Sequence, residues 1–246
     1  MLEILMLRRS PQVAAASGAH VFPGGSVDVA DDEVVRRRLF LGRDEADASR
    51  RLELKGGALA FFCAALRELF EEAGLLLALD ERGRAVTFSE EELARWREEL
   101  LHATLAWPDL LEREGLRLAL GQLEYLAHWV TPEGRPRRFD TRFFVAAAPT
   151  SQHARVDASE IVEHVWTSAS AALERFATGE WSMLVPTVRT LRALSHHDNV
   201  GDVLRTAATA TVLRIQPREI VRDGRVVVVV PGEPGYDDVP GDVTPR

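Results

Sequence analysis

One predicted helix carries an arginine and three glutamates at a spacing that could bind a metal ion. Within "ALRELFEEAGLLLA", residues 65–78, Glu68 is followed by Glu71 and Glu72, so the three carboxylates stand at i, i+3 and i+4. On an α-helix these positions share one face over roughly 100°. Because like charges at this distance repel, hard divalent cations with oxygen ligands are their natural partners. Arg67 could hold the acids in place through charge-assisted hydrogen bonds. A solvated acidic helix surface would show the same spacing and stays an alternative.

The opposite face of this helix indicates how it would be positioned. Phe62, Leu66, Phe70 and Ala73 recur at intervals of three and four residues, which is the period of a helix face that packs against a core. Gly74 follows directly and is a typical signal for the end of a helix. We therefore expect the acids to lie on the exposed side of a helix that is anchored by its apolar side.

A second segment of interest lies upstream, at "VFPGG" in residues 21–25. The adjacent Gly24 and Gly25 predict a tight turn that needs unusual backbone angles. Asp31 follows Gly25 after five residues. An acid at this position could serve the same site if the turn and the acidic helix meet in the fold.

Together these segments resemble the Nudix box. "RELFEEAGL" matches the second half of the box, from Arg67 onwards, and "FPGG" with Asp31 matches its first half, with aspartate in place of the usual glutamate. Between Asp31 and Arg67 lie 35 residues, where the family has seven. The chain thus resembles a Nudix hydrolase whose box is split by an insertion of 28 residues.

Further segments extend the resemblance over most of the chain. Residues 129–149, "WVTPEGRPRRFDTRFFVAAAP", are similar to a strand pair of the Nudix subgroup that contains the mammalian peroxisomal coenzyme A diphosphatase. Residues 172–194, "ALERFATGEWSMLVPTVRTLRAL", and the later "PGEPGYD" are similar to the helices and the closing segment of such proteins. The resemblance implies a metal-dependent diphosphate hydrolase that needs Mg²⁺ or Mn²⁺.

Individual roles follow from the resemblance. It implies that the cation is bound by the side chains of Glu68, Glu71 and Glu72 and by the carbonyl of Gly24. It implies that Arg67 orients these glutamates, that Asp31 supports the box, and that Glu71 or a neighbouring acid is the general base. Family members often draw one more acid from a later loop, for which Glu160 and Glu163 are the local candidates. Of these we expect Glu163 to be catalytic, although both could be ordinary acids at a strand end.

The substrate is less closely defined. Arg9-Ser10, Gly18 and "FPGG" stand in the register of a coenzyme A signature known in some Nudix enzymes, but Leu7 and Ala14 replace its threonine and inner arginine. We expect coenzyme A or an acyl-coenzyme A as the small-molecule substrate, bound by Arg9, Phe22, Gly25 and Arg138. Arg138 could instead balance an acidic surface. Another nucleoside-diphosphate compound (a dinucleotide or a nucleotide sugar) and a non-catalytic Nudix-fold ligand sensor are the alternatives.

Composition restricts the class of protein. The 246 residues carry a net charge of −8, which argues against a dedicated nucleic-acid binder because such proteins show a basic face. The one cysteine, Cys63, lies among apolar neighbours and is predicted to be a core residue. No run approaches the roughly 20 apolar residues of a membrane span, and the N-terminus lacks the pattern of a signal peptide. We expect a cytoplasmic protein with neither nucleic acid nor membrane as partner.

The order of predicted elements indicates an α+β protein, an α-β-α sandwich with a Nudix-like mixed sheet between helices. We expect a single domain over residues 1–246. It would carry insertions at about 32–56 and 80–118 and a C-terminal extension of helices and a hairpin from about 168. Ser89 and Glu92 predict a capping box at the start of a helix in the second insertion. The insertions could form a lid or the surface of a homodimer.

Overall fold

The computed structural model describes residues 2–13, 16–132, 137–156, 160–222 and 224–238. The strands are β1 (Ile4–Arg9), β2 (His20–Val21), β3 (Phe40–Leu41), β4 (Ala78–Asp80), β5 (Leu116–Ala119), β6 (Glu124–Val130), β7 (Asp140–Val145), β8 (Ile161–Thr167), β9 (Arg214–Ile215), β10 (Arg218–Arg222) and β11 (Arg225–Val229). The helices are α1 (Val29–Arg36), α2 (Glu45–Leu52), α3 (Leu59–Ala73), α4 (Glu90–Leu101), α5 (Trp107–Arg113), α6 (Ala169–Ala177), α7 (Val185–Leu194) and α8 (Val200–Thr209).

Strand pairing is mixed, as predicted. β1 lies between β2 and β8 and pairs with both in antiparallel orientation. β6 pairs antiparallel with β7 and parallel with β9. β5 pairs parallel with β3 and antiparallel with β4, and β10 and β11 form a hairpin. Within the described ranges these are separate hydrogen-bonded sheets rather than one continuous sheet.

Helix α3 has the predicted core face. Phe62, Leu66, Phe70 and Ala73 are fully or almost fully buried. Gly74 ends the helix in the left-handed conformation, with φ of 70°, and its N–H donates to the carbonyl of Phe70 at 2.9 Å. Glycine adopts this conformation without the steric cost that a side chain adds. The apolar side of the helix is thus packed in the core, and its acidic side faces a cleft.

The insertion inside the box belongs to the main core. Val34 of α1, Leu39, and Ala48 and Leu52 of α2 are buried together with the apolar face of α3. Arg43, just before α2, donates to the carbonyl of Leu123 at 2.7 Å. This insertion therefore contributes packing to the domain, and its apolar side chains do not form a lid.

The insertion after the box forms α4 and α5. The capping box predicted for α4 is confirmed: the N–H of Glu92 donates to Ser89 Oγ at 3.2 Å, and the N–H of Ser89 donates to Glu92 Oε2 at 2.8 Å. Trp96 and Trp107 anchor the two helices in the main core. The exposed side of α4 is then free to form one wall of the site described below.

The C-terminal part builds a second core. Trp181, Leu191 and Val203 pack with Met6 of β1 in this core. The hairpin predicted for the C-terminal extension is present as β10 and β11, with Arg222 opposite Arg225. Of the helices that the structure describes, none has both the length and the apolar character of a membrane span.

Candidate active site

The turn at residues 22–25 and the acidic side of α3 are in direct contact. The N–H of Gly24 donates to Glu72 Oε2 at 2.8 Å. A Cβ placed on Gly25 would lie 2.6 Å from Glu68 Oε2, so only glycine leaves space for this carboxylate. The fold thus brings the glycine turn and the acidic helix into contact, although more than 40 residues of chain separate them.

The guanidinium of Arg67 is the centre of the cluster. Its Nε and Nη2 lie 3.0 Å from the two carboxylate oxygens of Asp31, a paired geometry that suits an arginine and a carboxylate. Its Nη1 lies 2.9 Å from Glu68 Oε1 and 3.0 Å from Glu71 Oε2. Asp31 is completely buried. Arg67 therefore holds two acids of the helix in place while a buried aspartate supports it from behind.

Burial raises the pKa of each acid in this cluster. For Asp31, Glu68 and Glu71, burial raises the pKa and the nearby Arg67 partly offsets the rise. For Glu72, burial raises the pKa to about 7, while the Gly24 N–H and Arg9 oppose the rise. Crowded, desolvated carboxylates favour protons or cations. The site therefore has the electrostatic character of a cation site.

A cleft of about 1000 Å³ opens over these groups. Its walls come from the turn, the acidic side of α3, the exposed side of α4, and residues 153, 155, 156, 160 and 161. From α4 it is lined by Glu90, Leu93, Ala94, Arg97, Glu98 and Leu101. Leu101 presents an exposed apolar side chain, so the cleft combines a charged end with apolar surface.

Arg9 lies in the cleft, as expected for a substrate-binding residue. Its Nη1 is 3.7 Å from Glu72 Oε1, and its Nη2 is 3.6 Å from Glu160 Oε2. Glu160 also lines the cleft. The structure thus brings Arg9, Glu72 and Glu160 together at the end of β1.

Glu163, predicted to be catalytic, does not line the cleft. It stands opposite Arg8 in the β1–β8 pairing, and its carboxylate lies 3.6 Å from the Arg8 guanidinium. Side chains alternate along a strand: Leu7 packs beneath the end of α3, so Arg8 and its partner face the other way. The register shifts between Arg8 and Arg9, and Arg9 returns to the side of the cleft. Of the two local acids, the geometry favours Glu160.

Two residues predicted to bind substrate also lie outside the cleft lining. The ring of Phe22 meets Phe143 edge-on at 5.9 Å and packs on the second core. Arg138 is exposed, and its Nε donates to the carbonyl of Thr131 at 3.4 Å. Phe22 therefore positions the turn by packing, and Arg138 is not among the described residues that line the cleft.

The sequence analysis missed Arg97 and the wall formed by α4. Leu93, Trp96 and Arg97 are all buried, at helical spacing on one side of α4. An arginine within an apolar stripe was the available signal, because arginine is rarely buried without partners. The partners of Arg97 include backbone carbonyls at the end of α3.

The ligand chemistry of the cluster fits a hard divalent cation. Carboxylate and carbonyl oxygens are the donors that Mg²⁺ prefers, and Mg²⁺ keeps several waters and shares ligands with substrate phosphates. Within the part of the chain that the structure describes, no three acidic, histidine or cysteine side chains form a ready-made ligand set. Arg67 and the Gly24 N–H instead bond one carboxylate oxygen each of Glu68, Glu71 and Glu72. Water and substrate oxygens would therefore have to complete the coordination.

Comparison with known proteins agrees with this geometry. A family model described as the NUDT19 Nudix domain matches residues 34–194. An "Acyl-coenzyme A diphosphatase NUDT19" of Gallus gallus is 28% identical over 278 residues, covering 97% of this chain and 74% of that protein. The Homo sapiens protein of the same name is 28% identical over 81% of this chain and 62% of its own length. A crystal structure of a NUDIX hydrolase from Alicyclobacillus acidocaldarius superposes with a TM-score of 0.65 at 29% identity, covering 85% of this chain and 89% of that one.

Proposed function

The chain belongs to the NUDT19 Nudix family, and from this premise we propose that it hydrolyses the diphosphate linkage of coenzyme A or an acyl-coenzyme A. Family membership makes the chain a Nudix-type diphosphatase and confirms the resemblance drawn from the split box. The likeness to a solved Nudix hydrolase confirms the predicted α+β fold class.

The contact between the turn and the acidic helix is the observation that carries this proposal. The Gly24–Glu72 hydrogen bond and the approach of Glu68 to Gly25 place the carboxylates directly beside the backbone of the glycine turn. The four box residues from Arg67 to Glu72 that bear charge all line the cleft. A non-catalytic sensor would not need to keep them, which supports the enzyme over the sensor.

Two features support coenzyme A or its thioesters. The relatives from Gallus gallus and Homo sapiens are named acyl-coenzyme A diphosphatases. The cleft, at about 1000 Å³, is at the upper end of common ligand sites and exceeds what a bare diphosphate needs. The departures from the coenzyme A signature, Leu7 and Ala14, keep another nucleoside-diphosphate substrate as the second candidate.

The cation, Mg²⁺ or Mn²⁺, would be held by Glu68, Glu71, Glu72 and the carbonyl of Gly24. When bound, it supplies charge neutralisation at the diphosphate and lowers the pKa of a water molecule. Within the chain itself, Arg67 fixes Glu68 and Glu71, and Asp31 fixes Arg67. The cationic Arg9 faces the cleft and would attract the anionic substrate.

Glu71 is the proposed general base. It accepts the proton of the attacking water, the water oxygen bonds to phosphorus, and the bridging P–O bond breaks toward the leaving phosphate. The products are two phosphate monoesters. We infer that the additional acid is Glu160, because it lines the cleft. Cytoplasmic location, the single-domain boundaries and a homodimer stay predictions.

A substrate panel tests the proposal. The protein is incubated with Mg²⁺ or Mn²⁺ and with coenzyme A, acyl-coenzyme A, ADP-ribose, a dinucleotide or NADH, and the two monoester products are separated from the substrate by chromatography and quantified. We expect the highest kcat/KM for coenzyme A or its thioester. The Glu71→Gln variant should lose about 10²–10⁴-fold in kcat while keeping its fold, and Glu91→Gln, an exposed change on α4, is the matched control.

Other outcomes separate the alternatives. Cleavage of only ADP-ribose, the dinucleotide or NADH would support the second candidate. Ligand binding without product in any reaction would support the sensor. Full activity of Glu71→Gln would assign the base to another acid.

A further inference from the structure

The last carbonyl groups of α3 all have partners. The end of a helix leaves its final carbonyls without partners inside the helix. Here the carbonyl of Ala73 accepts from the Arg155 N–H at 2.8 Å. The carbonyls of Glu71 and Glu72 accept from Arg97, through Nε at 2.8 Å and Nη2 at 3.0 Å. One side chain of α4 thus satisfies the backbone of two adjacent glutamates.

We propose that Arg97 is a positioning residue, which fixes the last turn of α3 and with it the Glu71 and Glu72 carboxylates. The inference rests on the proposed function, since it concerns the same cation site. Arg97 is only 7% exposed, and its two donors form a planar fork with fixed geometry. Its positive charge also lies at the negative end of the α3 dipole, which stabilises that end.

The geometry explains why a backbone contact would matter to the carboxylates. Glu71 and Glu72 are in the last turn of α3, where helices fray most readily because hydrogen bonds are missing. Their side chains reach Arg67 and the Gly24 N–H from this turn. A change in the backbone of the turn therefore moves both carboxylates relative to the glycine turn.

Helix α4 has a second point of attachment, at Glu90. Comparing the two attachments separates the general stability of α4 from the specific effect of Arg97 on α3. Glu90, at the start of α4, forms an ion pair with Arg155, and its Oε1 lies 2.9 Å from His153 Nδ1. This attachment holds α4 to residues 153–155 and does not touch the Glu71 and Glu72 carbonyls; it reaches α3 only indirectly, through the Arg155 N–H on the Ala73 carbonyl. A variant at Glu90 loosens the helix from that side, and a variant at Arg97 removes its contact with Glu71 and Glu72.

The test measures Mn²⁺ affinity directly, by electron paramagnetic resonance titration of the full chain freed of metal. Arg97→Met keeps the bulk and removes both donors, and Arg97→Lys keeps the charge but cannot bond both carbonyls as a fork. Since residues that orient metal ligands typically contribute about 10–100-fold in affinity, we expect Arg97→Met to raise the Mn²⁺ dissociation constant by at least about tenfold. Arg97→Lys should recover part of the loss.

Two control variants complete the design. Arg95→Met removes the same charge from an exposed position of α4 that does not line the cleft, and it should change neither Mn²⁺ affinity nor activity. Glu90→Gln should lower the melting temperature without a tenfold change in Mn²⁺ affinity. If Arg97→Met does not fold, the test relies on Arg97→Lys. A Mn²⁺ dissociation constant equal to that of the wild type in folded Arg97→Lys would then contradict the proposal.

Three results would overturn the inference: unchanged Mn²⁺ affinity in folded Arg97→Met, an equal loss in Glu90→Gln, or no Mn²⁺ binding by the wild type. The first two leave the proposed function intact, since they concern only the role of Arg97. The third also removes the proposed cation site. If the wild type binds Mn²⁺ but cleaves no diphosphate, the proposed function fails while the affinity comparison still decides the role of Arg97.

Discussion

The carboxylate of Glu68 lies directly against the backbone of Gly25, where a Cβ would be 2.6 Å from Glu68 Oε2. A side chain at this position would force the Glu68 carboxylate to move, so the carboxylate keeps its place beside the turn because this residue is glycine. The relationship joins the two halves of the box in space.

Gly25→Ala should therefore displace Glu68. We expect a fall in kcat/KM of about tenfold or more, because an error of about 1 Å in a catalytic position costs on that order or more. Gly56→Ala is the matched control, since a Cβ on Gly56 meets nothing within 4 Å. Steady-state kinetics with coenzyme A measures both, and equal activity of the two variants would mean that Glu68 can move without consequence.

The buried Asp31–Arg67 pair should dominate the stability of the site. Asp31→Ala leaves a guanidinium largely buried without its main partner, and breaking such pairs costs about 3–5 kcal/mol in the free energy of unfolding. Arg84→Ala, which removes the exposed pair with Asp80, should cost about 0–1 kcal/mol. Urea denaturation compares the two, and a similar small loss for both would contradict a structural role for Asp31.

The raised pKa of Glu72 predicts a pH-dependent cost in the metal-free protein. Burial raises this pKa from 4.5 to about 7, so the folded state favours the protonated acid and ionisation destabilises it. As pH rises from about 4.5 to 7, wild type should lose stability relative to Glu72→Gln, and above pH 7 the difference should be constant. Thermal melting in EDTA at pH 5, 6, 7 and 8 measures the difference.

Manganese supplies the control for this pH effect. A cation near Glu72 favours the ionised carboxylate, so saturating Mn²⁺ should remove or reverse the difference at pH 8. A difference that does not vary with pH in EDTA would show that Glu72 does not titrate in this range.

Glu160 and Glu163 can be compared with each other directly. Glu160 lines the cleft beside Arg9, and Glu163 pairs with Arg8 on the other side of the strands. Glu160→Gln should lower kcat/KM about 10–100-fold, the scale typical of groups that support metal ligands. Glu163→Gln should act like an ordinary surface change, within about 0.5 kcal/mol. The reverse order would restore the role that the sequence alone suggested for Glu163.

The parts of the site that follow from local pattern were predictable, and those that depend on packing between distant segments were not. The apolar face of α3, the stop at Gly74 and the cap at Ser89 each follow from the residues within one or two helical turns. The choice between Glu160 and Glu163 depends on a register shift after Arg8, which leaves no signal in the sequence. Similarly, the apolar stripe around Arg97 indicates that this arginine is buried, but not that the carbonyls at the end of α3 are its partners.

The packing partners of the two insertions were likewise not predictable from the sequence alone. Both have helical patterns, from which we expected a lid or a dimer surface. The structure places the apolar side of the first in the main core and the exposed side of the second in the cleft wall. The periodicity of a helix identifies which side is buried, but not which neighbour buries it.

The segment between the two halves of the box fills space inside the domain, through Val34, Leu39, Ala48 and Leu52. Deleting the insertion to restore the usual seven-residue spacing would therefore not give a smaller enzyme that still folds in the same way. The shortened chain would lose four interior side chains, and their loss would expose Phe62 and Leu66 to water. Replacing the split box with a compact one therefore requires redesign of the surrounding interior.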